Sequence, residues 1–269
     1  MKLGGLDISK LYLGSNEVSK AYLGDNIVFQ TGGGVPTNGL QFYIDSTNLA
    51  SYPETGTNVI DLSPNEYNFQ LYNGVWFQDI QPKTFVFDGF MQYMEAYAPG
   101  PEMGTNSITI NAWINKGFGG GMDATIAGRM EPGYSGSPDG SYGLMVSGSG
   151  GLQGFFKADN QPYVQTYTSS SITSGQWLLA TIVFDRAGSM DIYINGVKQA
   201  LADSGNISSY NGSSVTNMSN YYKFGAASYF GAADAYFEGS ISQVIEYNRV
   251  LSEVEIQSIF NATRSYYGV

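Results

Sequence analysis

Few residue types here can do chemistry. The 269-residue chain has no His and no Cys. That removes thiolate and imidazole metal ligands, Cys and His nucleophiles, and any Ser-His-Asp triad. What remains is oxygen chemistry and aromatic contact. Carboxylates at turns are the hard donors that Ca2+ takes. Asp88 stands at the end of a strand pattern, Asp139 within Gly136-Ser137-Pro138-Asp139-Gly140, and Asp234 in a later turn. The plainer role of each is to cap its own turn backbone. No cofactor is assigned, and Ca2+ is the one candidate. Aromatic rings beside planar polar groups suit a sugar, with the ring against its face and the polar groups on its hydroxyls. The segment 130–142 offers Tyr134, Asp139 and Tyr142, and the Asn-, Ser- and Tyr-rich segment 210–222 is a second candidate. Loops on a rigid scaffold are where recognition concentrates. Tyr and Asn recur throughout this chain, so a solvated loop or a subunit contact is the plainer reading of both.

The elements that must position these residues are short strands. There are 35 glycines and 21 tyrosines, and charged residues are only 13%, about half the usual share. Such a composition suits many strands joined by turns, and surfaces built for contact. The net charge of −11 argues against sequence-independent nucleic-acid binding, which needs a basic surface. No apolar run approaches the ~18 residues of a membrane span.

Period-two alternation is clear at 107–115: Ile108, Ile110, Ala112 and Ile114 share one face, Thr109, Asn111, Trp113 and Asn115 the other. Further strands are expected at 40–45, 84–87 and 239–247, and the run 177–184 is apolar on both faces, as a covered central strand would be. Asn195-Gly196 inside 191–198 suits a type I′ hairpin turn. The spacing predicts an antiparallel sandwich. One helix is expected, opened by the capping box Ser252-Glu253-Val254-Glu255 with Leu251 and Ile256 as a hydrophobic staple. It is expected to lie at the edge or end of the sandwich. Trp113 and Trp177 read as core residues.

Residues 1–30 differ. Ser9-Lys10-Leu11-Tyr12-Leu13-Gly14-Ser15-Asn16 recurs as Ser19-Lys20-Ala21-Tyr22-Leu23-Gly24-Asp25-Asn26, a period of ten residues. With Ile27-Val28-Phe29 it predicts a three- or four-stranded meander, too small to be stable alone. Leu11, Tyr12, Leu13, Tyr22, Leu23, Val28 and Phe29 are therefore candidates for attachment or oligomerisation. The plainer alternative is a small subdomain packed on the main body. Residues 31–37 form a Gly-rich linker, and the main domain is expected over 38–269.

Several of these segments resemble a known family. Gly39-Leu40-Gln41-Phe42-Tyr43-Ile44-Asp45 with Asp61-Leu62-Ser63, Phe85-Val86-Phe87-Asp88-Gly89, Trp113 in its strand, Gln176-Trp177, Ile192-Tyr193-Ile194-Asn195-Gly196 and Tyr247-Asn248-Arg249 before Ser252–Glu255 resemble, in order, the motifs of laminin-G-like, concanavalin A-like domains. The resemblance covers about residues 38–263 and implies an all-β, concanavalin A-like sandwich with carbohydrate binding. It also implies a rim Ca2+ site, for which Asp88 is the first candidate. Glycosidases of this fold resemble one another in a Glu-x-Asp-x-Glu strand motif, which this chain lacks. Its Glu253-Val254-Glu255 sits at the helix start, where acids favour the helix dipole. No enzyme is expected.

The Lys-x-Tyr-Leu-Gly repeat resembles short N-terminal segments of bacteriophage head and tail accessory proteins. The start Met1–Asp7 has no apolar run of the signal-peptide kind. Together these imply a virion surface protein assembled in the host cytoplasm: a head fibre, capsid decoration or tail adhesin. Its expected partners are other virion proteins through residues 1–30, copies of itself, and host cell-surface glycan. A ligand-free structural decoration protein and a bacterial surface adhesin are the alternatives.

Overall fold

The computed structural model describes residues 35–98, 100–119, 123–131, 139–216, 221–229 and 232–269, together with short strands between residues 2 and 30 whose side chains lie outside the described residues. Two eight-stranded antiparallel sheets form the sandwich. The first runs, in spatial order, Trp76–Gln78, Thr84–Asp88, Glu238–Tyr247, Ile108–Lys116, Trp177–Phe184, Met190–Ile194 and Val197–Lys198, with Leu40–Asp45 also paired to Glu238–Tyr247. The second runs Tyr163–Tyr167, Leu152–Lys157, Ser141–Val146, Ala124–Arg129, Lys223–Phe224, Tyr93–Ala96, Phe69–Tyr72 and Asn58–Val59.

The core lies between the sheets because alternate residues of both point inward. Ile108, Ile110, Ala112 and Ile114 meet Leu144, Phe156, Phe224 and Met94 in one buried cluster. Aromatic edges add specific contacts there, such as Phe42 against Tyr222 at 4.9 Å and 77°. The Asp-Leu-Ser motif has a structural task. Asp61 accepts the amides of Tyr43 (2.8 Å), Ser63 (2.8 Å) and Tyr67 (3.0 Å), tying the first sandwich strand to the following loop.

The helix Glu253–Tyr267 opens on the capping box expected for Ser252 and Glu255. Its position differs from expectation. It lies on the outer face of the first sheet, not at an edge or end. The reason is that Trp113, Leu179, Val183, Ile245 and Tyr247 make that face apolar too, and Leu251, Ile256, Ile259, Phe260 and Tyr267 cover it. Trp113 is fully buried; its ring stacks on Tyr267 at 3.9 Å and its Nε1 donates to Thr263 Oγ1 at 2.8 Å. Asn195 and Gly196 both take positive φ, 53° and 79°, as the type I′ turn requires.

Among the described residues, the strands between 2 and 30 are not joined in the single meander expected. They make three separate two-stranded hairpins: Lys2–Leu3 with Leu6–Asp7, Leu11–Leu13 with Asn16–Val18, and Lys20–Leu23 with Asn26–Gln30. Leu13 pairs with Asn16 and Leu23 with Asn26, the same pairing within each copy of the repeat. Leu11, Tyr12, Leu13, Tyr22, Leu23, Val28 and Phe29 all lie in these strands.

Candidate functional site

Alternation places a second set of side chains on the outer face of the second sheet. Phe69, Leu71, Met94, Ala96 and Phe224 point into the core, so Gln70, Tyr72, Tyr93, Glu95 and Lys223 point out. Register then pairs them. Tyr72 lies opposite Tyr93, and the two rings stack at 4.9 Å with 9° between their planes. Glu95 lies opposite Lys223, and the two form an ion pair at 2.7 Å. Lys223 Nζ also donates to Ser228 Oγ at 2.7 Å, and Lys223 is only 4% exposed. Tyr97, 53% exposed, donates its hydroxyl to Asn58, and Tyr221, 44% exposed, precedes the Lys223 strand. The result is a stacked aromatic platform rimmed by amides, a carboxylate and further phenols.

Its electrostatics keep the phenols protonated. Burial, then Glu95, Tyr97 and Tyr221, push the Tyr72 hydroxyl above its ordinary range. Burial, then Glu95, Tyr72 and Tyr236, do the same for Tyr93. Each phenol therefore remains an O–H donor as well as an acceptor at neutral pH.

The other half of this face is roofed. The hairpin Ala227–Tyr229 with Ala232–Asp234 is held over it by Ser228 N to Met130 O and Thr125 N to Ala235 O, both 2.8 Å. Beneath lie Met130, Met145 and Phe155. Met130 crosses a floor of two glycines: a Cβ on Gly143 would sit 2.1 Å from its sulfur, and one on Gly128 only 2.4 Å from the Tyr142 carbonyl.

The sequence-expected glycan residues do not converge here. Tyr142 is a correction: it is 1% exposed and faces the core, where its one hydroxyl hydrogen is shared between Pro101 O (3.1 Å) and Glu246 Oε1 (3.2 Å). It begins the inward set Tyr142, Leu144 and Val146 of a strand rather than ending a loop. Asp139 is half-buried, with its carbonyl held by Lys157 Nζ at 2.8 Å. Tyr134 lies outside the described residues.

The three candidate metal ligands do not all come together. Asp88 and Asp234 both influence the Tyr236 phenol, whose upward shift comes first from burial and then from them. Asp139 precedes the strand Ser141–Val146 at the opposite end of the sheet. Asp88 Oδ1 accepts the amides of Phe90 (2.9 Å), Met91 (3.0 Å) and Gln92 (3.1 Å), so it caps its own turn. Among the described residues no group of three or more acidic side chains could hold a metal ion.

The sequence profile of the concanavalin A-like lectin/glucanases superfamily, in its laminin G form, matches residues 87–257. The chain belongs to that superfamily. Solved structures carry the same fold at low identity. The binding domain of Paraclostridial Mosquitocidal Protein 1 superposes with a TM-score of 0.65 at 17% identity, over 86% of this chain and 55% of that one. Domain 4 of AbnA, an extracellular arabinanase of Geobacillus stearothermophilus in complex with arabinotriose, gives 0.60 at 17% identity, over 83% of this chain and 99% of the domain. A Trypanosoma rangeli sialidase in complex with 2,3-difluorosialic acid gives 0.59 at 17% identity, over 92% of this chain and 36% of the enzyme. The chain thus spans about half the length of that mosquitocidal binding domain and of the receptor binding domain of botulinum neurotoxin D. No curated protein sequence matches it.

Proposed function

We propose that this chain is a non-enzymatic bacteriophage virion surface protein whose sandwich binds host-surface glycan. The observation that carries the glycan half is the stacked Tyr72–Tyr93 pair beside Gln70 and the Lys223–Glu95 ion pair on a solvent-facing sheet. Each ring of the stacked pair has one face turned to the other, and the remaining outer faces and edges offer a sugar apolar surface while the rim offers hydrogen bonds to its hydroxyls. The superfamily supports this reading, as do neighbours whose names describe binding domains and a module holding arabinotriose.

Binding rather than catalysis is favoured by the state of the carboxylates. Glycoside hydrolysis uses two acids flanking the scissile bond. Of the carboxylates beside the platform, Glu95 is tied to Lys223 and Asp88 Oδ1 is occupied by three amides of its own turn.

The hairpins of residues 2–30 are the proposed attachment or oligomerisation module, holding the sandwich on other virion proteins or on copies of itself. Several copies displayed together would raise weak glycan binding by avidity. The acidic surface keeps a dense array soluble.

The test is binding of the full chain, clustered on a multivalent carrier, to host cells and extracted surface glycans, with Ca2+ and with chelator. Saturable binding that Tyr93→Ala abolishes supports the reading. Binding that survives Tyr93→Ala places the glycan elsewhere. No binding from folded protein leaves structural decoration as the better account.

A further inference from the structure

We propose that the tyrosine face selects uncharged sugar chains and rejects anionic ones. This rests on the glycan reading and adds its substrate class.

The argument is a census of charge on the outer face. Its cations are already committed. Lys223 is buried between Glu95 Oε2 and Ser228 Oγ, both at 2.7 Å. Lys157 is 2% exposed and holds the Asp139 carbonyl. Neither ammonium reaches a bound ligand without giving up a buried partner, which is costly. The exposed charges beside the platform are carboxylates. Asp88 and Asp234 are both solvent-exposed. Asp88 caps the turn Phe90–Gln92 that leads directly into Tyr93, and Asp234 follows Ala233, whose carbonyl accepts the Tyr236 hydroxyl at 2.9 Å. The three amides on Asp88 Oδ1 hold its negative charge in place. A sulfate, phosphate or uronate group would meet these acids with no exposed cation on this face among the described residues to pair it, against a net charge of −11. The neutral groups of the platform complement hydroxyls: phenols that donate and accept, and the amides of Gln70 and Asn58.

The experiment measures full-chain binding to matched pairs of oligosaccharides, each pair sharing one backbone with and without sulfate or a uronic carboxyl. At about 0.01 M salt, where the Debye length is ~30 Å, the uncharged member is expected to bind about tenfold tighter or more. At about 1 M, where it is ~3 Å, the gap should narrow. Asp234→Asn should narrow it at low salt by improving the acidic member. Equal or tighter binding of the acidic member, or a gap indifferent to salt, overturns the proposal. Folded protein that binds neither member of any pair overturns the glycan reading itself, a different result from binding with the wrong charge preference.

Discussion

The Tyr142 hydroxyl of the second sheet donates to the Glu246 carboxyl of the first across 3.2 Å, deep between the two layers. Glu246 Oε2 and the nearby Tyr222 hydroxyl each lack a partner in bonding geometry. Burial pushes Glu246 up to about 8, against the opposing pull of Tyr222, Tyr142 and Arg129. At neutral pH this carboxyl is largely protonated, and a neutral acid is what a core can hold.

A pH dependence follows. The folded carboxyl holds its proton from its ordinary 4.5 up to about 8, so its stabilising contribution is full below 4.5 and is lost as pH rises through that window. The slope is at most ~1.4 kcal/mol per pH unit. Glu246→Gln removes the titration. Thermal melts of the two proteins from pH 4 to 9 should diverge progressively between about pH 4.5 and 8, with the variant holding its Tm better as pH rises. Parallel curves would mean that the carboxyl is not perturbed.

The two glycines under Met130 should respond differently to alanine. At Gly128 the new methyl meets the Tyr142 carbonyl and Gly143 Cα, which are backbone. At Gly143 it first meets the Met130 thioether, which can turn aside. Gly128→Ala should cost about 1–3 kcal/mol and Gly143→Ala less, by denaturant unfolding. The reverse order would place the strain elsewhere.

The helix on the first sheet is held by Trp113. Trp113→Ala removes the stack on Tyr267 and the bond to Thr263, and should cost about 3–5 kcal/mol. Ser252→Ala removes the cap and should cost about 1 kcal/mol. Hydrogen exchange should localise the second loss to the first helical turn, whereas the first should loosen the whole helix.

For residues 2–30 the attachment reading predicts separable effects. Replacing Leu13 and Leu23 by Asp should reduce the solution mass by light scattering while leaving the sandwich Tm unchanged. An unchanged mass would argue for a partner other than this chain.

Much of the scaffold was legible because its signals are local. The alternation at Ile108–Ile114, the Asn195-Gly196 turn and the Ser252–Glu255 capping box each act within a few residues, and each appears as read. The outer apolar face of the first sheet needed more than one strand to recognise, so the helix was expected at an edge. Tyr142 was read as loop because glycine and serine precede it, although Tyr142, Leu144 and Val146 already alternate. The tyrosine platform was not legible at all. Phe69-Gln70-Leu71-Tyr72 and Tyr93-Met94-Glu95-Ala96 each show period two, but only their antiparallel register brings the two rings together. Lys223 comes from a strand far along the chain.

The central claim is that the face around Tyr72 and Tyr93 holds the sugar. The most direct measurement is NMR of ring-labelled tyrosine in the full chain, titrated with a binding oligosaccharide. The account predicts that signals of Tyr72, Tyr93 and Tyr221 shift with saturation, while the buried Tyr142 and Tyr222 stay near their free positions. Saturable shifts that spare Tyr72 and Tyr93 would contradict it.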